Sequence, residues 1–396
     1  MNNFGSLEGK RILFLQGPMG TFFKKLDKNF RKKGAITYRI GFNMGDQFFS
    51  YRDNYIPFRD VCEVWPKFIE EFLGKKKIDM VFLFGDCRYY QKVTTAIAKE
   101  KGIDVFVFEE GYLRPHYITM EKFGVNGFSQ LSKNPAFYLS STGDEMVPEP
   151  VHAKSSKTKM VISATLYYAI SNLFGIHYPH YRHHREFSAV QEAFYGIRGL
   201  FRKALYAVTE RDCLERLTVT LSGRYYFVPL QTHNDFQILQ HSRYRSIEKF
   251  IIEVLESFAQ YAPKDTYLVF KHHPVDRGRK NYRKFILEQA NILEIRESVI
   301  VIHDVFLPEI LKHTRGTVTI NSTVGLTSIE YGIPTITLGE AVYDIEGLTN
   351  KGKELKVFWS DPQLPDRKLY HRFRQYLVNH TQLNGSFYGR MPKELQ

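Results

Sequence analysis

Short hydrophobic runs alternate with longer amphipathic stretches in the N-terminal part of the chain. This alternation predicts βαβ units, in which buried parallel strands are joined by helices that cover both faces of one sheet. A turn at residues 17–20 separates the first predicted strand from the first predicted helix. The predicted strands are 11–16, 36–40, 79–84 and 103–108, and the predicted helices are 21–33 and 90–101.

The same alternation returns after residue 222. It predicts a second parallel sheet, again covered by helices. The predicted strands are 225–230, 266–271, 299–302, 317–320 and 335–338, and the predicted helices are 246–261, 321–331 and 366–379.

The segment 148–222 breaks this rhythm, because it has helical signals and few strand signals. Tyr and Phe lie between its basic residues, a composition that suits an anionic membrane surface. A solvated helical linker explains the same composition equally well. Between residues 154 and 210, the basic residues are Lys154, Lys157, Lys159, Arg182, Arg185, Arg198, Arg202 and Lys203, and the acids are Glu186, Glu192 and Glu210.

The chain of 396 residues is longer than one hydrophobic core usually serves. We therefore predict an α/β protein with two Rossmann-like parallel-sheet domains and a helical basic insertion. This arrangement is typical of the GT-B architecture, in which the two domains face a ligand-binding cleft. The predicted parts are an acceptor-side domain 1–147, the membrane-facing segment 148–222, a donor-binding domain 223–360 and a helical tail 361–396.

The net charge of +13 attracts nucleotides, nucleic acids and anionic lipid surfaces alike. No nucleic-acid motif accompanies the charge, so we expect no nucleic-acid partner. Cys62, Cys87 and Cys213 are widely spaced, which indicates neither a disulfide framework nor a zinc site and fits a reducing cytoplasm. The sequence shows no signal peptide and no run of roughly 18 apolar residues. Any membrane contact is therefore expected to be peripheral.

Polar clusters follow four of the predicted strands, where the sites of α/β proteins are built. In the first cluster, Glu109 and Glu110 can act as general acid or base, Gly111 admits a ligand, and Arg114 follows. A solvated loop is the simpler interpretation of these acids. In the second cluster, Gln231 precedes Asp235, which can be a nucleophile, a base or a helix cap.

The other two clusters suggest a phosphate site. Lys271, His272 and His273 can bind or protonate a departing phosphate, although a buried histidine in a loop is the alternative. Ser322 and Thr323 stand at a predicted helix start, which favours an anion and is also an ordinary N-cap.

Two further patterns carry little functional weight. The histidines at 177, 180, 183 and 184 lack an acid or cysteine at ligand spacing, so we predict no metal site. The turn from Gly17 to Gly20 is neither a P-loop nor a dinucleotide-binding fingerprint.

Several motifs together resemble one family. Glu109-Glu110-Gly111 and His273-Pro274 resemble motifs shared by GT-B sialyltransferases and capsule Kdo transferases. More narrowly, the chain is similar from about residue 11 to 350 to the KpsS/LipB-type β-Kdo transferases among the capsule polysaccharide proteins. The motifs that carry this narrower resemblance are 15–23, 42–46, 229–231 with Asp235, 321–325 with Glu330, and Tyr343 with 347–349.

The resemblance implies a retaining enzyme that moves Kdo from CMP-β-Kdo to a phosphatidylglycerol-type lipid. Asp235, in a Gln-xxx-Asp setting with Gln231, is then the nucleophile, and Glu110 is the base, although these two roles are interchangeable. His273 and Lys271 would stabilise the leaving phosphate, with His272 beside them. Ser322 and Thr323 would hold it, and Glu330 would bind ribose.

The same resemblance sets the expected partners and the alternatives. Gly17, Gly20, Glu109 and Arg114 are expected on the acceptor side or in the cleft, and no cofactor or metal is expected, since the leaving group is a monophosphate. The expected location is the inner face of the inner membrane, and the other members of a capsule biosynthesis complex are expected partners. The alternatives are another nucleotide-sugar transferase, such as a sialyltransferase, and a non-catalytic capsule assembly or export component.

Overall fold

The computed structural model describes residues 4–140, 149–181, 189–233 and 235–396. These residues divide into two compact units. The first unit contains 4–130, 149–181, 189 and 375–396, and the second contains 131–140, 190–233 and 235–374. The units therefore differ from the predicted domains, which followed one another along the chain. Segment 148–222 contributes to both units, and the predicted tail is divided because its final strand joins the sheet of the first unit.

The first unit is built on a seven-stranded sheet with the order β12-β6-β5-β4-β1-β2-β3. Strands β1 to β5 run parallel, while β6 is antiparallel to β5, and β12 is antiparallel to β6. Its strands are β1 (Arg11–Phe14), β2 (Ile36–Gly41), β3 (Tyr55–Pro57), β4 (Met80–Phe84), β5 (Asp104–Glu110), β6 (Tyr117–Lys122) and β12 (Gln382–Asn384).

The second unit is built on a five-stranded sheet with the order β11-β10-β7-β8-β9, and all its strands are parallel. The carboxyl ends of these strands therefore meet at one edge, followed by residues 230, 272, 303, 320 and 338. Its strands are β7 (Tyr225–Pro229), β8 (Tyr267–Lys271), β9 (Val299–Ile302), β10 (Gly316–Thr319) and β11 (Thr335–Thr337).

Helices cover both sheets. Among the residues described, none of these helices is both long and apolar enough to cross a bilayer. The helices are α1 (Phe22–Lys32), α2 (Met44–Phe48), α3 (Trp65–Lys75), α4 (Tyr89–Glu100), α5 (Pro135–Leu139), α6 (Lys157–Leu173), α7 (Ala189–Thr209), α8 (Cys213–Glu215), α9 (Phe236–His241), α10 (Ile247–Tyr261), α11 (Arg283–Ile292), α12 (Leu307–His313), α13 (Thr323–Glu330), α14 (Leu355–Ser360) and α15 (Arg367–His380).

The predicted α/β class with two largely parallel sheets is confirmed. Every predicted strand and helix is present with ends that agree to within two residues. The agreement has a physical cause, since the buried strands are short apolar runs such as 80–84, whose side chains form the core. The cleft between facing domains stays a prediction.

Candidate active site

Two adjacent acids lie at the carboxyl edge of the first unit's sheet. Glu109 and Glu110 are the last two residues of β5. The predicted strand ended at residue 108, which had placed both acids in the following loop. The Glu110 backbone N–H donates a hydrogen bond to Glu109 Oε1 (3.0 Å). Burial is the main reason that the pKa of Glu109 is raised to about 7, and the charges of Glu110 and Asp86 contribute to that value. This carboxyl group can therefore gain or lose a proton near neutral pH.

Glu110 is the more exposed of the two acids. Desolvation by the surrounding protein raises its pKa, and the charge of Arg114 opposes the change. The Arg114 side chain is held by a hydrogen bond from Nε to the Gly111 carbonyl (3.1 Å). A Cβ on Gly111 would lie 2.1 Å from the Tyr117 carbonyl oxygen, so only glycine fits beside β6. The structure thus brings together all four residues of the first predicted cluster.

The two predicted glycines of the opening turn have different surroundings. A Cβ on Gly17 would lie 2.5 Å from the Phe23 ring, so this glycine serves the packing of α1. Gly20 has φ +133°, and a Cβ there would lie 3.2 Å from Ser163 Oγ and 3.8 Å from the Tyr388 ring. The positive φ and the close Ser163 side chain favour glycine at position 20, and its place on the acceptor side stays a prediction.

Tyr388 is a candidate site residue that the sequence did not reveal. Burial raises its pKa to about 12, and the charge of Glu110 contributes. It lies 278 positions after Glu110, and no local pattern links the two. Its hydroxyl group stays protonated at neutral pH and can therefore donate a hydrogen bond.

The opening motifs form a buried polar network beneath α6. The Tyr167 hydroxyl donates to Asp46 Oδ1 (2.9 Å) and accepts hydrogen bonds from Asn43 Nδ2 (2.7 Å) and Gln16 Nε2 (2.8 Å). Gln16 Oε1 in turn accepts from Arg88 Nη1 (2.8 Å). Burial raises the pKa of Asp46, against the hydrogen bonds that it accepts. These motif residues therefore fasten α6 to the sheet.

In the second unit, Gln231 connects two candidate residues after β7 and β10. Its Nε2 donates to Asp235 Oδ2 (3.2 Å) and to Asn321 Oδ1 (2.9 Å), while its Oε1 accepts from the Asn321 N–H (3.3 Å). Gln231 is buried, whereas Asp235 is partly exposed just before α9. The side-chain amide thus orients the Asp235 carboxylate, as a positioning residue for a nucleophile would.

The loop after β8 is held by contacts with His233, which follows β7, and by a hydrogen bond within the loop itself. The Asp276 carboxylate accepts from the His233 N–H (2.8 Å) and lies 2.7 Å from His233 Nδ1. His273 caps a short 3₁₀ helix, and its Nδ1 accepts from the Val275 N–H (3.2 Å). In the neutral ring the proton of His273 is therefore on Nε2, which makes Nε2 a hydrogen-bond donor.

The two residues before His273 are bound within the protein. Lys271 Nζ donates to the His303 carbonyl oxygen, and burial lowers the pKa of Lys271. His272 is buried and stacks on His303, with ring centroids 4.5 Å apart. Burial lowers the pKa of His272 to about 3, so its ring is neutral. These contacts favour a supporting role for Lys271 and His272 over direct donor contact.

His303 was not predicted and joins β9 to the end of α7. Glu210 accepts from the backbone N–H groups of His303 (3.0 Å) and Asp304 (3.1 Å), and it lies 2.5 Å from His303 Nδ1. Burial alone would raise the pKa of Glu210, but these hydrogen bonds outweigh it and lower the pKa. Residues 93 positions apart make this contact, which sequence spacing alone does not reveal.

Ser322 and Thr323 stand where the sequence placed them, at the start of α13. The Ser322 side chain caps the helix by accepting from the Val324 N–H (3.3 Å), and Tyr343 donates a hydrogen bond to the Ser322 carbonyl oxygen. A Cβ on Gly325 would lie 2.2 Å from the Tyr343 hydroxyl oxygen, so glycine is needed for this contact. The helix start therefore offers hydroxyls and backbone amides to an anion.

Glu330 lies apart from these residues. It is the last residue of α13, roughly 10 Å along the helix axis from Thr323. Its Oε1 lies 4.0 Å from Arg374 Nε, and its carbonyl accepts from Arg367 (2.8 Å). The structure does not bring Glu330 to the strand-end cluster, because it stands at the other end of α13 from Thr323.

A cavity of 810 Å³ lies beside β11. His241, Arg243, Glu253 and Lys356 contribute to its lining, and none of the predicted site residues does. Arg243 is paired there with Glu253. The predicted site of the second unit is therefore distinct from this cavity.

Only some of the basic residues of segment 148–222 are available for contact with an anionic membrane. Arg198 donates to the Gly278 carbonyl (2.5 Å) and to the Arg279 carbonyl (2.8 Å), and Arg202 donates to the Arg277 carbonyl (2.9 Å). Lys203 is exposed, whereas Arg182 and Arg185 lie outside the described residues. Arg198 and Arg202 both bind the loop after β8, and the membrane-facing role of segment 148–222 stays a prediction.

Comparison with known proteins gives a consistent result. A model of the family described as "Capsule polysaccharide biosynthesis protein" matches residues 79–388. The capsule polysaccharide export protein KpsS of Escherichia coli is 40% identical over 382 residues, covering 96% of this chain and 98% of that protein. The capsule polysaccharide modification protein LipB of Neisseria meningitidis serogroup B is 37% identical over 403 residues, covering 98% of this chain and 95% of that protein.

Solved structures show more distant likeness. The β-Kdo 2,7 transferase KpsC of Thermosulfurimonas dismutans matches with a TM-score of 0.41 and 14% identity, covering 94% of this chain and 89% of that chain. The UDP complex of Staphylococcus aureus MnaA matches with a TM-score of 0.32 and 12% identity, covering 96% and 93%. At these scores neither likeness bears on the substrate.

Proposed function

Because this chain belongs to the family of capsule polysaccharide biosynthesis proteins, we propose that it is a retaining glycosyltransferase. In this proposal it transfers Kdo from CMP-β-Kdo to a phosphatidylglycerol-type lipid. The observation that carries the proposal is the pair of acids that ends β5, of which Glu109 has a pKa of about 7. A carboxyl group that titrates near neutral pH suits proton transfer from an acceptor hydroxyl.

The transfer consists of two displacements at the anomeric carbon. A carboxylate oxygen of Asp235 attacks this carbon, and the bond to the CMP phosphate oxygen breaks, with its electron pair leaving on CMP. The acceptor hydroxyl oxygen then attacks the same carbon, its proton passes to Glu110, and the Asp235 carboxylate leaves. Two inversions return the original configuration. Glu109 is a second candidate for the proton acceptor because of its raised pKa.

The donor phosphate is assigned to the second unit. The Nε2–H group of His273 donates a hydrogen bond to the phosphate. The hydroxyls of Ser322 and Thr323 bind the same phosphate at the start of α13. Backbone amides and the helix dipole favour negative charge at this position. The leaving group is a monophosphate, so these donors stabilise it without a metal ion. Gln231 acts through Asp235 and is a positioning residue.

A lipid acceptor requires the protein to reach a bilayer. We therefore propose that it acts at the cytoplasmic face of the inner membrane, in contact with anionic lipid and with other capsule biosynthesis proteins. The excess of basic over acidic residues, +13 overall, supports attraction to that surface.

A second candidate function follows from one relative. KpsS of Escherichia coli is described as an export protein, which favours a non-catalytic capsule export or assembly component. Such a component would bind polysaccharide or partner proteins and would not need Asp235. A transferase with another nucleotide-sugar donor is the remaining enzyme alternative.

One experiment separates these functions. The purified protein is incubated with CMP-Kdo and a short-chain phosphatidylglycerol, and the lipid is analysed by mass spectrometry. We expect a product heavier by one Kdo residue, and we expect Asp235→Ala to form none. Parallel reactions with CMP-sialic acid and UDP-sugars test the donor. Absence of product with every donor would favour the non-catalytic component.

A further inference from the structure

Helix α7 has an inner face that is fastened to the second unit. Arg198 and Arg202 donate hydrogen bonds to carbonyl oxygens in the loop that follows β8. The Tyr206 ring stacks on His303, with ring centroids 3.8 Å apart. Glu210, immediately after the helix, accepts from the backbone of His303. Arg198, Arg202 and Tyr206 of α7 are therefore used inside the unit.

The outer face of α7 is apolar and exposed. Its residues recur at the three- and four-residue spacing of one helical surface. Their exposed fractions lie between 56% and 76%. We define this face by Phe194, Ile197, Leu200, Phe201 and Val208. An exposed apolar stripe of this length is unusual for a protein surrounded only by water.

Helix α6 in the first unit has the same organisation. On its inner face Tyr167 and Ser171 bind the polar network of the opening motifs. Its outer face consists of Ile162, Leu166 and Leu173, whose exposed fractions lie between 43% and 76%. Each unit thus carries a helix with one bound polar face and one exposed apolar face.

We propose that the outer face of α7 lies in the interfacial layer of an anionic lipid bilayer, with its side chains among the acyl chains, and that α6 offers an equivalent face in its own unit. This contact extends the lipid contact of the proposed function, on which it rests, but the binding itself requires no glycosyl transfer. An amphipathic helix binds a membrane in this way, parallel to its surface, when its other face is polar.

Charge favours a bilayer over a second copy of the chain. Helix α6 contains no acid, and the single acid of α7 is Glu192. Exposed lysines accompany both faces, namely Lys157, Lys159 and Lys203. A net charge of +13 attracts an anionic lipid surface and repels an identical chain.

The side-chain chemistry also distinguishes lipid from a protein partner. The side chains that define the two outer faces are aliphatic or Phe and offer no hydrogen-bonding group, while Thr165 and Asn172 of α6 and Lys203 of α7 are also exposed on these helices. Protein interfaces are enriched in Tyr, Trp and Arg anchors, and their rims carry hydrogen bonds. Hydrocarbon requires neither, so acyl chains fit these faces better.

Vesicle sedimentation tests the proposal without any donor substrate. The variant Ile197→Gln, Leu200→Gln, Phe201→Gln is compared with the parent on phosphatidylglycerol and phosphatidylcholine vesicles. We expect the parent to prefer phosphatidylglycerol, and we expect the variant to bind it at least about tenfold more weakly. The control variant Val219→Gln, Ile292→Gln, Leu364→Gln changes equally exposed apolar residues elsewhere in the second unit and should bind like the parent.

Three results would overturn the proposal. One is undiminished vesicle binding by the α7 variant, and another is equal binding of the parent to both lipids, which would remove the role of charge. The third is a lower molar mass of the α7 variant in solution with unchanged vesicle binding, which would assign the face to a second copy. Transfer to a water-soluble acceptor analogue should survive in the α7 variant. Failure of the membrane-binding proposal can therefore be distinguished from failure of the proposed glycosyltransferase activity.

A fluorescent reporter gives an independent test of insertion. Trp65 and Trp359 are both fully buried, so a tryptophan at position 201 adds an exposed emitter. We expect Phe201→Trp to shift its emission to shorter wavelength with phosphatidylglycerol vesicles, and brominated acyl chains to quench it. Unchanged emission of Phe201→Trp in the presence of bound vesicles would exclude insertion of α7.

Discussion

The Glu109 carboxylate accepts a hydrogen bond from the backbone of Glu110, the next residue of β5, at 3.0 Å. Its other oxygen lies near Gly85, where a Cβ would stand 3.7 Å away. The two acids thus share one strand end, and ionisation of either disfavours ionisation of the other. Their proximity explains part of the raised pKa of Glu109 and leads to two predictions about pH.

The first prediction concerns stability. A pKa of about 7 in the folded state exceeds the ordinary value of 4.5, so the folded state retains a proton that the unfolded state loses. The associated stability is present below about pH 4.5 and is lost as the pH rises through 7. We therefore expect Glu109→Gln to stabilise the protein at pH 8 by about 1–3 kcal/mol and to have little effect at pH 4.5.

Thermal unfolding of parent and variant at both pH values measures this difference. Glu100→Gln, which changes an exposed acid at the end of α4, is the matched control and should leave stability unchanged at both. An equal gain from Glu109→Gln at pH 4.5 and pH 8 would contradict the raised pKa.

The second prediction concerns the rate of transfer. If Glu109 must be ionised, kcat/KM should rise with pH and level off above about 7, the pKa of its carboxyl group. Rates measured from pH 5 to 9 check this expectation. Glu110→Asn removes the proposed base, so its effect is measured by NMR titration of the Glu109 carboxyl group rather than by rate, and it should lower the pKa of Glu109 because a like charge is removed. An inflection that persists in Glu109→Gln would assign it to another group.

The third prediction concerns the orientation of Asp235. Gln231→Leu removes the amide that donates to both Asp235 and Asn321. A hydrogen bond to a charged group contributes about 1.5–3 kcal/mol, so we expect a roughly 10- to 100-fold loss in kcat. Gln240→Leu, an exposed amide beside the β11 cavity, is the control. Loss of CMP affinity without loss of kcat would argue for donor binding by Gln231 instead.

The fourth prediction separates phosphate binding from helix capping at α13. Ser322→Ala combined with Thr323→Val should weaken CMP binding by about 1.5–3 kcal/mol in calorimetry. Loss of the Ser322 cap also costs about 1 kcal/mol of stability. Ser246→Ala removes the cap of α10 in the same unit, so it should lose similar stability while CMP affinity stays unchanged. Equal CMP affinity in both variants would remove the phosphate site from α13.

The fifth prediction concerns the network beneath α6. Tyr167→Phe leaves the buried groups of Asp46, Asn43 and Gln16 without a shared partner. An unsatisfied buried polar group costs about 1–3 kcal/mol, so the free energy of unfolding should fall by at least that amount. Tyr89→Phe, at an exposed tyrosine of α4, is the control for denaturant unfolding. Equal stability of the two variants would show that water replaces the Tyr167 hydroxyl.

Sequence patterns located the central strands because each is a short buried apolar run. They did not reveal β12, whose residues Gln382 and Asn384 flank one buried Leu383 and offer no such run. Pairing with β6, more than 250 residues earlier, makes this segment a strand. The helix α3 was missed although Trp65, Ile69 and Leu73 recur at helical spacing, which is a readable signal.

The residues of the candidate site also divide into those that sequence patterns predicted and those that they did not. Residues at strand ends, such as Glu109 and Ser322, were predictable because the position of a site in an α/β fold follows from its strands. Interactions over long sequence separations were not, and the contact of Glu210 with His303 and the effect of the Glu110 charge on Tyr388 are examples. Chemistry alone also placed His272 and Glu330 among the donor residues, whereas burial and helix length set them apart.

The place of β12 in the first unit has a consequence for synthesis on the ribosome. Domains generally fold as they emerge, with the N-terminal one first. Here the sheet of the first unit takes its last strand from residues translated after every strand of the second unit, and Leu383, Phe387 and Leu395 complete its core. The second unit can therefore close while the first still exposes the edge of β6. Nascent chains halted before residue 382 should present that edge to chaperones and proteases.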